Sequence, residues 1–270
     1  MKKAGVLGWP VEHSLSPRLH GYWLKQYGVE GSYVKLPVKP EELGATLRDL
    51  PKQGFAGVNL TVPHKETALA FLDFIEPAAK QMGAVNTVVV RSDGRLEGRN
   101  TDVYGFTQNL LSAGYKTRGL PAVILGAGGA ARAAVAALLA LGVSEIRIVN
   151  RSRERAQLLN GAFGKQLRIY GWDDAARAFE SCELLVNATS LGMTGQKPLE
   201  VNLDPLPKDA LVTDMVYAPM ETELLKTART RGNPALDGLG MLLHQARPAF
   251  KAFFGIDPEV TEGLREFVLR

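Results

Sequence analysis

The sequence has 270 residues, which exceeds the usual size of one domain and favours two. Its composition, with 46% hydrophobic and 22% charged residues, is that of a chain with a sizeable buried core, and it excludes a disordered or fibrous protein. The net charge of +4 includes no run of lysine and arginine, so the sequence predicts no nucleic-acid partner, although a small anionic ligand is compatible with it.

Strand-like and helix-like apolar segments alternate over the first hundred residues. The alternating segments are 4–8, 17–26, 33–36, 41–50, 55–60 and 64–71. Such alternation predicts βαβ units and a mostly parallel sheet. Two further strands, 84–91 and 96–100, flank the pair Asp93 and Gly94, which is a good hairpin turn. These two strands are therefore predicted to be antiparallel.

A second alternating series begins after a helix at 102–113 and a polar stretch at 114–119. Its segments are strands at 122–125, 146–149, 184–187 and 211–216, and helices at 130–141 and 221–231. This series predicts a dinucleotide-binding fold. Helical segments at 241–254 and 258–269 follow, and we expect them to pack back on the first domain, because a helix pair alone cannot bury its apolar face.

A G-x-G-x-x-A pattern begins directly after the strand at 122–125 and opens the helix at 130–141. Glycines at this point permit a tight turn and let backbone N–H groups approach a pyrophosphate at the helix N-terminus. In this context the pattern predicts a dinucleotide site, whereas alone it fits a glycine-rich loop of any α/β protein. The predicted contacts are Gly126, Ala127, Gly128, Gly129 and Ala130.

The end of the next strand decides between NAD and NADP, because it meets the adenosine ribose. No carboxylate stands there, and Asn150, Arg151, Ser152 and Arg155 follow instead. Two guanidinium groups and a hydroxyl suit a 2′-phosphate, so the sequence favours NADP. The alternative is a solvated helix start whose positive charge is compensated by Glu154.

Three polar clusters follow predicted strands of the first domain, at 8–17, at 59–65, and at Asn86 together with 100–102. Open α/β sheets place their ligands at such strand ends. Hydroxyls and amides suit a small acid that carries several hydroxyl groups. Any single cluster also fits helix capping, with Ser16 before Pro17 as an N-cap and 100–102 capping the next helix.

Lys65 and Asp102 are the candidates for proton transfer in these clusters. Oxidation of a secondary alcohol requires a group that takes the hydroxyl proton as the hydride leaves. We assign that role to Lys65, with Asp102 orienting it. The alternatives are that Lys65 is a surface lysine after a proline turn and that His64 relays the proton. The four histidines lack metal-site spacing, so no metal is predicted.

The order of these motifs resembles the shikimate dehydrogenase family. The matching motifs are G-x-P-V-x-H-S-x-S-P at 8–17, N-L-T-x-P-H-K at 59–65, G-A-V-N-T at 83–87, G-x-N-T-D-x-x-G-F at 98–106, G-A-G-G-A at 126–130, N-R-S at 150–152, N-x-T-x-x-G-M at 187–193, D-x-x-Y at 214–217 and D-G-x-G-M-L-x-x-Q-A at 237–246. The resemblance implies NADP-dependent interconversion of 3-dehydroshikimate and shikimate, on the route to chorismate and the aromatic amino acids.

The resemblance also implies the fold and the roles of single residues. Two α/β domains would enclose a cleft, with a substrate-binding domain at 1–101 plus 239–270 and a Rossmann NADP domain at 102–238. Ser14 and Ser16 would hold the substrate carboxylate, while Lys65 would transfer the proton with Asp102 as its partner. The implied hydroxyl contacts are Thr61, Asn86, Asp102 and Gln245, with Tyr217 nearby. The implied NADP contacts are Gly126 to Ala130, Asn150, Arg151, Ser152 and Arg155, with Thr189, Met215 and Gly238 flanking the nicotinamide.

Two other functions stay open from the sequence: a quinate/shikimate dehydrogenase with broader cofactor use, and a noncatalytic NADP-binding regulator on the same scaffold. The sequence also leaves the oligomeric state open, with a homodimer as one option. The single cysteine, Cys182, excludes a disulfide within the chain and fits a buried packing residue. Without a signal-peptide pattern or an apolar segment of bilayer length, a cytoplasmic protein is expected.

Overall fold

The computed structural model describes residues 1–270, which form two compact units. The first unit comprises Met1–Asp102 and Leu243–Arg270, and the second comprises Val103–Leu242. The elements in chain order are β1 (Lys2–Gly8), α1 (Ser16–Gln26), β2 (Gly31–Pro37), α2 (Leu43–Asp49), β3 (Phe55–Leu60), α3 (His64–Thr67), β4 (Phe74–Ile75), α4 (Pro77–Met82), β5 (Thr87–Val90), β6 (Leu96–Arg99), α5 (Asp102–Ser112), β7 (Ala122–Leu125), α6 (Gly129–Ala140), β8 (Ile146–Val149), α7 (Arg153–Phe163), β9 (Leu167–Tyr170), α8 (Ala175–Phe179), β10 (Leu184–Asn187), β11 (Leu211–Asp214), α9 (Glu223–Arg231), β12 (Ala235–Leu236), α10 (Leu239–Phe254) and α11 (Glu262–Leu269).

The six strands of the first unit form one sheet in the order β2-β1-β3-β5-β6-β4. β1 runs parallel to β2 and β3, whereas β5 runs antiparallel to both β3 and β6. The predicted hairpin at Gly94, which has a φ of +81°, is confirmed. This topology brings the ends of β1, β3 and β6 and the start of β5 to the same edge of the sheet. The three polar clusters of the sequence all lie at that edge.

The second unit contains a six-stranded parallel sheet in the order β12-β11-β10-β7-β8-β9. Numbered within the unit, this is the 3-2-1-4-5-6 order of dinucleotide-binding sheets, with its reversal between β7 and β10. Side chains of β7 alternate between two core clusters: Ile124 packs with Ala131 of α6 on one face, and Val123 packs with Phe179 of α8 on the other. Both faces of the sheet are therefore covered, as in α/β proteins generally.

Cys182 lies in the second of these clusters and is fully buried. Burial raises the pKa of its thiol to about 12, so the side chain stays protonated and unreactive near neutral pH. The interpretation of Cys182 as a packing residue is confirmed.

None of the helices is both long and apolar enough to cross a membrane.

Some predicted boundaries are wrong. The helix predicted at 258–269 begins only at Glu262, because the hydroxyl of Thr261 caps it by accepting a hydrogen bond from the Leu264 N–H at 3.2 Å. The strand predicted at 211–216 ends at Asp214, so the two residues after it belong to a loop. The elements without a counterpart in the sequence-based prediction are β4, α4, α7, β9, α8 and β12.

Candidate active site

Lys65 and Asp102 form an ion pair at the polar edge of the first sheet. Nζ of Lys65 lies 2.6 Å from Oδ2 of Asp102. Lys65 is carried by α3, which follows β3, and Asp102 opens α5, which follows β6. The Lys65 side chain is 26% exposed and that of Asp102 only 7%. The ammonium group can therefore meet a ligand while the carboxylate stays fixed behind it.

The other carboxylate oxygen of Asp102 is held by Asn86. Nδ2 of Asn86 lies 2.8 Å from Oδ1 of Asp102 and 2.9 Å from Oγ1 of Thr101. The side-chain oxygen of Asn86 accepts from the Thr101 N–H at 2.8 Å, so the amide is fixed on both sides. Gln245 of α10 brings Oε1 to 3.3 Å from Oγ1 of Thr101. The structure thus brings together four predicted residues: Lys65, Asn86, Asp102 and Gln245.

The loop after β1 carries Ser14 and leads to Ser16, the first residue of α1, while the loop after β3 carries Thr61. The Thr61 N–H donates to the carbonyl oxygen of Leu7 at 2.9 Å. A Cβ atom at Gly8 would stand 2.4 Å from Cγ2 of Thr61, so only glycine allows this approach. Both serines and Thr61 therefore belong to the edge that carries the ion pair.

Helix capping, the structural alternative for these clusters, applies to Asn100 and not to Ser16. Oδ1 of Asn100 accepts from the Asp102 N–H at 3.0 Å and so starts α5. The expectation of an N-cap at Ser16 is wrong, because α1 begins at Ser16 itself and Leu15 takes the cap position without a side-chain bond. The side chain of Ser16 instead interacts with the hydroxyl of Tyr33.

Tyr33 and Asn59 form a buried support beside these groups. The Tyr33 hydroxyl donates to Oδ1 of Asn59 at 2.7 Å, and Nδ2 of Asn59 donates to Oγ1 of Thr87 at 3.0 Å. Thr87 in turn donates to Oδ1 of Asn86 at 3.1 Å. Sequence reasoning missed Tyr33, because a tyrosine in a strand indicates only burial. Asn59 stood in the second polar cluster, which was the one available signal.

His64, the alternative proton carrier, is buried and bonded to the backbone. Its Nε2 lies 2.7 Å from the carbonyl oxygen of Val38. Because a carbonyl oxygen only accepts, Nε2 must carry the proton of this bond. His64 therefore ties the loop after β2 to α3, which favours Lys65 over His64 as the group that exchanges a proton with a ligand.

In the second unit, the glycine loop lies between β7 and α6, where the strand order reverses. Gly126 has a φ of +104°, and a Cβ atom there would stand 2.9 Å from Cγ2 of Thr189. Gly128 is the N-cap of α6 without a side-chain bond, and a Cβ atom there would meet nothing within 4 Å. The first N–H groups of α6 are therefore available to a pyrophosphate, and the loop fits a dinucleotide.

The loop after β8 and the first turn of α7 carry the residues predicted to meet the adenosine ribose. Arg151 and Arg155 are exposed, and neither is paired with a carboxylate. Ser152 caps α7, since its Oγ accepts from the Arg155 N–H at 3.2 Å and donates to Glu154 at 2.8 Å. Nδ2 of Asn150 donates to the Ser152 carbonyl at 2.8 Å. The alternative of a solvated helix start thus holds for Ser152 and Glu154, while the two guanidinium groups are available to an anion.

Arg151 also lines a surface pocket, together with Arg153, Gly171, Trp172, Asp173 and Asp174.

Thr189, Met215 and Gly238 lie in the loops that follow β10, β11 and β12. A Cβ atom at Gly238 would stand 2.6 Å from the carbonyl group of Met215, so the last two loops are in contact. Tyr217 lies two residues beyond Met215, and burial raises the pKa of its phenol. Tyr217 belongs to the second unit, whereas the other predicted substrate contacts belong to the first.

Two family models match the chain: the shikimate dehydrogenase substrate binding domain over residues 6–88, and shikimate / quinate 5-dehydrogenase over residues 111–194. The shikimate dehydrogenase (NADP(+)) of Paramagnetospirillum magneticum is 55% identical over 268 residues, which cover 98% of this chain and 97% of that protein. The chain belongs to the shikimate dehydrogenase family. The resemblance inferred from the sequence motifs is thereby confirmed.

Solved structures of a shikimate dehydrogenase and a quinate dehydrogenase share the fold of the chain. The shikimate 5-dehydrogenase of Thermus thermophilus, in complex with NADP(H) and shikimate, is 39% identical with a TM-score of 0.89, covering 100% of this chain and 99% of that one. The quinate dehydrogenase of Corynebacterium glutamicum, in complex with NAD, is 33% identical with a TM-score of 0.91, covering 99% and 98%. The predicted two-domain α/β fold of the shikimate dehydrogenases is confirmed.

Proposed function

We propose that the chain catalyses the NADP-dependent, reversible reduction of 3-dehydroshikimate to shikimate, a step toward chorismate and the aromatic amino acids. The observation that carries the proposal is the 2.6 Å pair of Lys65 and Asp102, set among amides and hydroxyls at one sheet edge. Two similarities support it: the relative at 55% identity is an NADP(+) shikimate dehydrogenase, and the solved neighbour at 39% identity binds NADP(H) and shikimate.

Lys65 moves the proton in this mechanism. During reduction, Nζ of Lys65 donates a proton to the carbonyl oxygen of the substrate, and during oxidation the neutral amine takes the proton of the hydroxyl group. Asp102 attracts the ammonium form and fixes Nζ, while Asn86 keeps the carboxylate from rotating away. When bound, NADP accepts or supplies the hydride at its nicotinamide ring.

Substrate binding is assigned mainly to hydroxyl and amide groups, together with the carboxylate of Asp102. Ser14 and Ser16 hold the carboxylate of the substrate, and the hydroxyl contacts are Thr61, Asn86, Asp102 and Gln245, with Tyr217 as a further contact. For the cofactor, the glycine loop binds the pyrophosphate at the start of α6. Arg151 and Arg155 bind the 2′-phosphate, beside Asn150 and Ser152, and Thr189, Met215 and Gly238 flank the nicotinamide.

The deciding experiment follows nicotinamide absorbance with shikimate or quinate against NADP or NAD. We expect the highest kcat/KM with shikimate and NADP, and absence of turnover with this pair would overturn the proposal. Preference for quinate with NAD would indicate a quinate dehydrogenase, the activity named for the neighbour at 33% identity. A noncatalytic regulator would bind NADP without turning over any of the four pairs.

Cellular location and partners are proposed from the sequence. The single cysteine favours a reducing compartment, so the cytoplasm is proposed as the location. The dispersed positive charge favours small anionic ligands over nucleic acid. A homodimer is the proposed assembly, and sedimentation of the purified protein across a range of concentrations measures it.

A further inference from the structure

Asn187 and Asp214 form a buried hydrogen-bonded pair in the second unit. They are the last residues of β10 and β11, and they lie opposite each other in the register of the two strands. Both are 0% exposed, and Nδ2 of Asn187 donates to Oδ1 of Asp214 at 2.9 Å. Neither residue has a role among the groups assigned above to substrate or cofactor.

The remaining polar atoms of Asn187 fix the loop after β10. Its Oδ1 accepts from the Thr189 N–H at 3.1 Å and from the Thr189 hydroxyl at 2.7 Å. Its Nδ2 also donates to the carbonyl oxygen of Leu191 at 3.2 Å. The amide therefore uses both of its donors and both acceptor positions, and it holds Thr189 by backbone and side chain together.

The carboxylate of Asp214 fixes the loop after β11 in the same way. Oδ1 accepts from the Val216 N–H at 2.9 Å, and Oδ2 accepts from the Thr222 hydroxyl at 2.7 Å. Thr222 is the N-cap of α9, so the loop is held at both of its ends. All partners of this carboxylate are neutral, and burial raises its pKa. A fully satisfied buried network of this kind is rigid.

Two glycines pack tightly against the same loops. Gly126 leaves no room for a Cβ atom beside Thr189, and Gly238 leaves none beside Met215, at 2.9 Å and 2.6 Å respectively. Thr189 is thus fixed by its hydrogen bonds to Asn187 and by its contact with the glycine loop. Met215 is fixed between Asp214, its neighbour in the chain, and Gly238.

We propose that Asn187 and Asp214 are positioning residues for the nicotinamide ring, which act by fixing Thr189 and Met215 and touch no ligand themselves. The inference rests on the proposed function, which assigns the nicotinamide to these loops. The adenosine end is assigned to a different loop, the one after β8. Loss of the pair should therefore weaken binding of the nicotinamide half of NADP and leave the other half unaffected.

The test compares the Kd of NADP with the Kd of 2′-phospho-ADP-ribose, which lacks only the nicotinamide. For Asn187→Ala and Asp214→Leu, we expect the Kd of NADP to rise about tenfold, since several buried bonds are lost. The Kd of the analogue should stay near that of the wild type. Asp214→Asn should keep near-normal NADP binding, because an amide can still accept from Asn187 and Val216 and donate to Thr222.

Glu183→Ala is the matched control, since Glu183 is a buried carboxylate next to the other end of β10. It should lower the unfolding temperature without changing the ratio of the two Kd values. If Asn187→Ala does not fold, Thr222→Val, which removes one bond to Asp214 at a residue without an assigned ligand contact, should give a smaller loss of the same selectivity. Equal weakening of NADP and the analogue, or no weakening of either, would overturn the inference. Wild-type protein that binds no NADP would overturn the proposed function first.

Discussion

Lys65 is partly exposed beside a carboxylate that is almost buried, and this difference separates the group that reacts from the group that positions it. Lys65→Met keeps the length of the side chain and removes its proton. We expect kcat to fall by about 10²- to 10⁴-fold, the usual contribution of a positioned acid–base group. The Kd of NADP, measured by calorimetry, should stay unchanged because Lys65 belongs to the first unit. Near-normal turnover would assign the proton to another residue.

Arg151 is exposed after β8 at the position that decides between NAD and NADP. Arg151→Asp places a carboxylate where a 2′-phosphate is expected, so charge repulsion should raise the KM for NADP by at least about tenfold. The KM for NAD should change much less. Steady-state kinetics with both cofactors measure the two values. Arg168→Asp, an exposed arginine on the neighbouring strand β9, is the control. Equal effects of Arg151→Asp on both cofactors would defeat the assignment.

Among the elements, those with strong apolar periodicity could be predicted from the sequence, and short or polar ones could not. The strand at Ala122–Leu125 and the helix after it were evident because four buried residues adjoin a glycine loop. β4 and β12 have two residues each, which is too short for any periodicity. The helix Arg153–Phe163 buries only two side chains, so its sequence shows little apolar periodicity, and a solvated helix start there was only an alternative.

In the candidate site, residues with a local sequence signal could be predicted, and residues whose role depends on long-range contacts could not. Lys65 and Asp102 could be predicted, because each stands in a polar cluster directly after a strand. Tyr33 and the pair of Asn187 with Asp214 could not be given a role. Their significance depends on hydrogen bonds across 26 or 27 positions of the chain, and only the sheet register reveals those bonds.

At the start of β10, Glu183 anchors the loop before β7. Its buried carboxylate accepts from the hydroxyls of Tyr115 and Thr117 at 2.7 and 2.8 Å and from the Arg118 N–H at 2.7 Å. Glu183→Ala leaves these donors unpaired. We therefore expect the free energy of unfolding, measured in urea, to fall by about 3 kcal/mol. Asp209→Ala removes only an exposed partner of Arg118 and should lower the free energy of unfolding much less. Equal losses would contradict the anchoring role.

On the scale of the whole molecule, stability toward acid should depend on His20. Its ring is fully buried, stacks on Tyr33 with 3.9 Å between ring centroids, and has no hydrogen-bond partner for either nitrogen. Burial lowers the pKa of His20 to about 3, whereas an unfolded chain has a histidine pKa near 6.5. The unfolded state therefore binds the proton first. The stability associated with neutral His20 is present above pH 6.5 and is lost as the pH falls toward 3.

These two pKa values set the size of the effect. Between pH 7.5 and pH 5, the proton taken up by an unfolded histidine should lower the free energy of unfolding by about 2 kcal/mol. His20→Phe keeps an aromatic ring against Tyr33 and cannot take up a proton, so this part of the loss should disappear. Urea unfolding of both proteins at the two pH values measures the difference. Carboxylates elsewhere in the chain titrate alike in both proteins and cancel in the comparison. Equal losses of stability in the two proteins would mean that His20 is protonated in the folded state.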